Sequence, residues 1–190
     1  MDEAEFVERA QQNPINRALL ERLPELHLND CWLVSGALFQ SVWNSLTKRP
    51  PTYGITDYDI AYYDADDLSW QAEDLVINRV AGLFSDVVAE IQVRNQARVH
   101  LWYADKFHRP YPPLDQTTAA IDRYPARVSM VGLMPRAEQQ PLLYAPAGLD
   151  DVANFYVQPN LTPTFGHADY LQKSKRWKAK WPELSVIYPQ

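Results

Sequence analysis

Cysteine is nearly absent: Cys31 is alone among 190 residues. A single thiol can close no internal disulfide, which excludes a disulfide-stapled framework. No apolar run approaches the roughly 18 residues needed to cross a bilayer, and no basic segment followed by an apolar stretch opens the chain as a secretory signal would. These features predict a cytoplasmic protein with no membrane partner. Glycine is scarce, six residues against fifteen prolines; long flexible linkers are thereby excluded, and stiff connections are expected in the proline-rich second half. Positive charge is in deficit, the net charge being −6, which argues against non-specific attraction to nucleic acid or anionic lipid. No internal repeat is found.

What is present is a globular composition: 46% hydrophobic, 22% charged, with six Trp and eleven Tyr. A chain of this length fits one domain large enough to bury a real core. Phe6, Ala10, Leu19, Leu20 and Leu23 recur at helical spacing; Asn13-Pro14 interrupts them, starting a second helix that Pro24 ends. A short apolar strand, Asp30–Val34, runs through Ser35-Gly36-Ala37 into a segment with Leu38, Val42 and Leu46 at helical spacing. Glycine where a strand hands over to a helix lets backbone N–H groups approach a ligand, and the helix N-terminus favours phosphate. A tight turn without a ligand would leave the same pattern.

The stretch Gly54-Ile55-Thr56-Asp57-Tyr58-Asp59-Ile60-Ala61-Tyr62-Tyr63 sets two acids among β-branched and aromatic residues, the composition of a strand. Residues i and i+2 of a strand share a face about 7 Å apart, and two carboxylates at 4 Å repel by about 4 kcal/mol at an effective dielectric near 20. A cation between them removes that cost, and hard oxygens suit Mg²⁺; an edge strand carrying two solvated acids is the competing reading. Trp70–Phe84 then reads as an amphipathic helix facing inward through Leu75, Val76, Val80 and Leu83, and Asp86–Val93 as a strand carrying a third acid, Glu90. Three carboxylates are what two divalent ions, about 3.5–4 Å apart, need to clamp the attacking and leaving oxygens of a phosphoryl transfer.

The ordered set Gly36-Ala37, Asp57-x-Asp59 and Glu90 resembles the nucleotidyltransferase superfamily of DNA polymerase beta, the tRNA CCA-adding enzymes and the aminoglycoside nucleotidyltransferases. Trp32–Asn44, Asp57–Asp64, Glu90–Tyr103 and Tyr144–Asp151 carry a closer resemblance to bacterial uncharacterised nucleotidyltransferase family proteins, over roughly Trp32 to Asn160. The resemblance implies a mixed α/β (α+β) nucleotidyltransferase fold, a mixed β-sheet flanked by helices. It also implies transfer of a nucleoside monophosphate from an NTP to an acceptor that the sequence does not identify, with Mg²⁺ (or Mn²⁺) as cofactor. By it Asp57, Asp59 and Glu90 are the metal ligands and catalytic acids, and Gly36 and Ala37 hold the phosphates. Superfamily members usually have Gly-Ser or Gly-Gly where this chain has Gly36-Ala37, and CCA-adding enzymes carry an Arg near the positions of Phe39 and Gln40. A degenerate member that binds a nucleotide or a partner without turnover, and a metal-dependent phosphohydrolase, stay open as alternatives.

Read as a strand ending near Arg94, the next block makes Asn95 the N-cap of a helix through Phe107; one long alternating strand is the other reading. Either places Arg94 or Arg98 toward a triphosphate and Asn95 or Gln96 toward base or ribose, with Gln96, His100 and Tyr103 along one stripe. Lys48 and Arg49 are further cationic candidates on a loop. Thr117–Tyr124 reads as a short helix, Arg127–Leu133 as strand-like, and Asp150-Asp151 as a helix cap. The expected organisation is a single domain over 1–190, with its core at about 28–160 and a C-terminal extension at 161–190. There Tyr170, Trp177 and Trp181 dock, while Lys173, Lys175, Arg176, Lys178 and Lys180 face solvent or, in a nucleic-acid reading, an acceptor.

Overall fold

The protein is described by a computed structural model covering residues 1–137 and 139–189. Its first two helices are α1 (Glu3–Gln11), capped by Asp2, and α2 (Pro14–Arg22), capped by Asn13 with Pro14 in its first turn. Then come β1 (Trp32–Val34), α3 (Gly36–Leu46), β2 (Tyr58–Tyr62), α4 (Trp70–Leu83) and β3 (Ile91–Asn95). A 3-10 turn at Gln96–Leu101 leads to α5 (Tyr103–Phe107) and α6 (Thr118–Ile121). The chain closes with β4 (Gly132–Arg136), β5 (Gln139–Tyr144), α7 (Asp150–Ala153), β6 (Tyr156–Val157), α8 (His167–Lys180) and β7 (Ser185–Val186).

Five strands form one mixed sheet in the order β3-β2-β1-β4-β5; β2 and β3 run parallel and the other neighbours antiparallel. This is the expected mixed sheet flanked by helices. Its two faces are set by the period-two alternation of strands. Leu33, Tyr58, Ile60, Tyr62, Val93 and Leu133 point into the main core with α1–α4, whereas Trp32, Val34 and Ala61 face the other way, onto Ile121 and Met130. Asp59 alternates with Ile60 and so shares the second face.

Two expected boundaries move. The strand begins at Ile91, and Asp86–Glu90 is irregular, with Val88 fully exposed. In α4 Val76, Val80 and Leu83 face the core as expected, joined by Glu73 and Ile77, while Leu75 is exposed at 66%. Arg127–Ser129 forms a 3-10 turn, so the strand that follows starts at Gly132. The C-terminal helix belongs to the main core: Trp177 packs edge-on to Phe39 (5.1 Å between ring centroids) and Trp181 lies 5.4 Å from Trp43.

Candidate active site

The register of the sheet gathers the acids. Val34 pairs with Asp59 across the antiparallel β1–β2 ladder, so the chain leaving β1 at Gly36 comes level with Asp57. On the other side Tyr58 pairs with Ile91 and Asp59 with Gln92 in parallel, and the Tyr58 N–H donates to the Glu90 carbonyl at 2.9 Å. Glu90 therefore stands beside Asp57, and by alternation Asp57, Asp59, Glu90, Gln92 and Arg94 share one face.

Above that face opens a cleft of about 450 Å³, lined among others by Asp59, Arg94, Gln96, Trp102, Tyr103 and Lys173. Burial pushes the Asp59 carboxyl up to about 6, and the charges of Asp57 and, more weakly, Glu90 add to the rise; Lys173 and Arg94 oppose it. Burial also pushes the Tyr124 phenol, on the same cleft, far above its ordinary value, with Asp59 contributing, so this hydroxyl stays a proton donor.

Two of the three acids already have a partner. Asp57 Oδ1 accepts from Thr56 Oγ1 at 3.0 Å, and Glu90 Oε1 accepts from Gln92 Nε2 at 2.7 Å. Among the described residues no three His, Cys, Asp or Glu side chains converge closely enough to hold an ion. The donor set itself fits Mg²⁺ or Mn²⁺: carboxylates, hence hard oxygens, with a half-buried charge that only cations relieve.

The turn into α3 carries the strain of a close approach. Ser35 holds φ 57° and ψ −118°, a region costly for a residue with a Cβ, and its side chain makes no capping bond to the helix. The first N–H groups of α3 are thus left to other partners. A Cβ on Gly36 would lie 2.9 Å from Gln40 Nε2, the mobile end of a side chain, which places Gln40 under the turn. Ala37 is buried, its carbonyl accepting from Asn16 Nδ2 at 2.9 Å and Ser41 Oγ at 2.6 Å, so position 37 contributes backbone only.

The candidates after Glu90 divide. Arg94 and Gln96 line the cleft. Asn95 alternates onto the core face: its Oδ1 caps the 3-10 turn at the Ala97 N–H (3.1 Å) and accepts from the Asp64 N–H (3.0 Å). Arg98 is buried in an ion pair with Glu73, donates to the Leu68 carbonyl at 2.8 Å and stacks on Trp70. His100 is not among the residues lining the cleft. Asn95 and Arg98 are thus placed as structural groups, Asn95 by strand alternation and Arg98 because the break into the 3-10 turn directs it to Glu73. Arg49, on the Lys48 loop, pairs with Glu183 at 2.9 Å.

What the sequence did not signal is which tail lysine borders the cleft. Lys173, exposed as expected, lines its rim, whereas Lys178 donates to the Pro182 and Leu184 carbonyls and Lys180 to the Gly54 carbonyl. Of the aromatic wall Trp102, Tyr103, Phe107 and Tyr111 only Tyr103 was marked, because the wall is built from one short helix and the irregular chain on either side of it.

A solved structure similar over 99% of this chain and 97% of its own, at 28% identity and a TM-score of 0.78, is an NMR structure described as revealing a CCA-adding enzyme head domain. No functionally curated protein matches the sequence significantly. A family model described as nucleotidyltransferase matches residues 21–186; over a span that holds the whole sheet and every acid of the site, the chain belongs to the nucleotidyltransferase family and is a transferase of nucleotidyl groups.

Proposed function

We propose that this protein transfers a nucleoside monophosphate from an NTP to an acceptor hydroxyl, with Asp57, Asp59 and Glu90 as its working acids. The observation that carries the reading is the strand register, which brings acids 33 positions apart in sequence side by side on one sheet face, level with the start of α3. Asp57 and Asp59 would hold Mg²⁺, with Glu90 completing the set once it leaves Gln92. The metal, when bound, neutralises charge on the phosphates and on the attacking oxygen.

The chain's own part is positioning and electrostatics. N–H groups at the start of α3 hold phosphate oxygens, with Gly36 leaving room for them. Arg94 offsets charge on the triphosphate, and Asp59 or Glu90 accepts the hydroxyl proton. The resemblance to a CCA-adding head makes an RNA 3′ hydroxyl the first acceptor to try.

The test is incubation with each α-labelled NTP, Mg²⁺ and an RNA acceptor pool. Label transfer with pyrophosphate release, lost in Asp59→Asn, is the expected result. Orthophosphate release instead would make the protein a phosphohydrolase, and tight NTP binding without any release would make it a binding module.

A further inference from the structure

The chain carries −6, yet three cations line the cleft, Arg94, Arg123 and Lys173, and none of them is in an ion pair among the described residues. Arg94 donates only to the carbonyl of Val93, at 2.8 Å, and Arg123 to that of Pro112, at 2.8 Å, while lying over the Tyr111 ring. Lys173 has no hydrogen-bonding or ion-pair partner among the described residues. The two acids that line the cleft are Asp59 and Asp169, and Asp169 is already paired with Arg109. Three cations outside any ion pair leave the cleft able to take further anionic charge.

The placement of Lys173 follows from how α8 docks. Tyr170, Ser174 and Trp177 are its buried side, held against the core. An adjacent stripe, Asp169, Gln172 and the exposed Lys173, lies along the rim of the cleft, whereas Lys175 and Arg176, equally exposed, do not line it. Of the two cations acting on Asp59, Lys173 has the stronger influence.

We propose that Lys173, carried by a helix outside the catalytic sheet, is a polyphosphate-binding residue that with Arg94 and Arg123 grips the β- and γ-phosphates of the NTP. The C-terminal helix is then part of the substrate site. Lysine suits this task as a compact charge on a flexible stem that can follow the leaving pyrophosphate. This inference rests on the reading of the cleft as an NTP site.

The experiment is calorimetric titration of full-length protein with inorganic tripolyphosphate and, in Mg²⁺, with ATP, CTP, GTP and UTP. Lys173→Met should weaken tripolyphosphate and the best NTP at least tenfold, about 1.4 kcal/mol. Lys173→Arg should return within about threefold of wild type, and Lys175→Met should not differ from it. Unchanged melting of Lys173→Met separates this from a folding defect. Should Lys173→Met bind both probes as wild type does, the lysine assignment is overturned, while Mg²⁺-dependent NTP binding lost in Asp59→Asn leaves the NTP site standing. Should wild type bind neither probe, both readings are overturned together.

Discussion

Asp59 shows how much one buried charge costs. Its carboxyl is raised from 3.8 to about 6, chiefly by burial and then by Asp57. Between those values the folded protein keeps a proton that the unfolded chain has released, so stability falls as pH rises through that window, and the full penalty stands above it. Two units correspond to at most about 3 kcal/mol. In EDTA, Asp59→Asn should therefore melt above wild type at pH 8, with the gain shrinking toward pH 4; an equal gain at both pH values would refute the charge argument. Cys31 is a second residue whose environment decides its chemistry. Burial, with a smaller contribution from Asp30, pushes its thiol up to about 12. Alkylation by iodoacetamide at pH 8 should be negligible until denaturant opens the fold, and rapid labelling of the native protein would contradict this. The two acids were readable from Asp57-Tyr58-Asp59 because alternation is a local property, but the elevation of Asp59 was not, since it depends on the cleft roof contributed by distant segments.

At the scale of elements, α4 and the 3-10 turn after β3 are joined by a buried ion pair, Arg98 with Glu73, the latter 2% exposed. Glu73 Oε1 also accepts the Asn95 N–H at 2.8 Å. Arg98→Ala would strand a buried carboxylate and should cost about 3–5 kcal/mol in urea melts. Arg98→Met combined with Glu73→Gln should be less destabilised than Arg98→Ala alone; a more destabilised double variant would show that the pair itself, not the stranded charge, dominates. A second joint is the loop before β2, where Gly54 has φ +75° and a Cβ would meet the Trp181 ring at 2.6 Å. Gly54→Ala should destabilise by about 2 kcal/mol or more, since a backbone penalty and a rigid ring act together; a loss under 0.5 kcal/mol would show that the ring yields. The helix start at Asn13-Pro14 and the cap at Asn95 were legible in the sequence, whereas the cap of α4 is Ser69 and not the acids before it. The pairing of Arg98 with Glu73 was not legible, because a strand that breaks into a 3-10 turn changes which way successive side chains point.

For the whole molecule, the site is assembled by the sheet's central strands on one side and α8 on the other. Removing residues 167–189 would take Tyr170, Trp177 and Trp181 out of the core, all 3% exposed or less, and should abolish the cooperative melting transition. A truncated protein that still melts cooperatively would show α8 to be dispensable. Given Mg²⁺ and a non-hydrolysable NTP at a hundred times its dissociation constant, wild type should gain about 2.7 kcal/mol, or roughly 5–10 °C for a chain of this size. Asp59→Asn should gain much less, and an equal shift would refute Asp59 as a metal ligand.

Alternation and turn residues by themselves determined two acids on one strand face and a glycine turn feeding a helix, because each of these is written within a few consecutive residues; the helix-flanked mixed sheet came from the family resemblance. Tertiary structure alone decided that Glu90 stands beside Asp57, that Arg98 is held by Glu73, and that Lys173 and not its neighbours borders the cleft. Those outcomes depend on strand order, on where a turn changes pitch and on which side of a helix meets the core, and none of these is encoded within a single local stretch of chain.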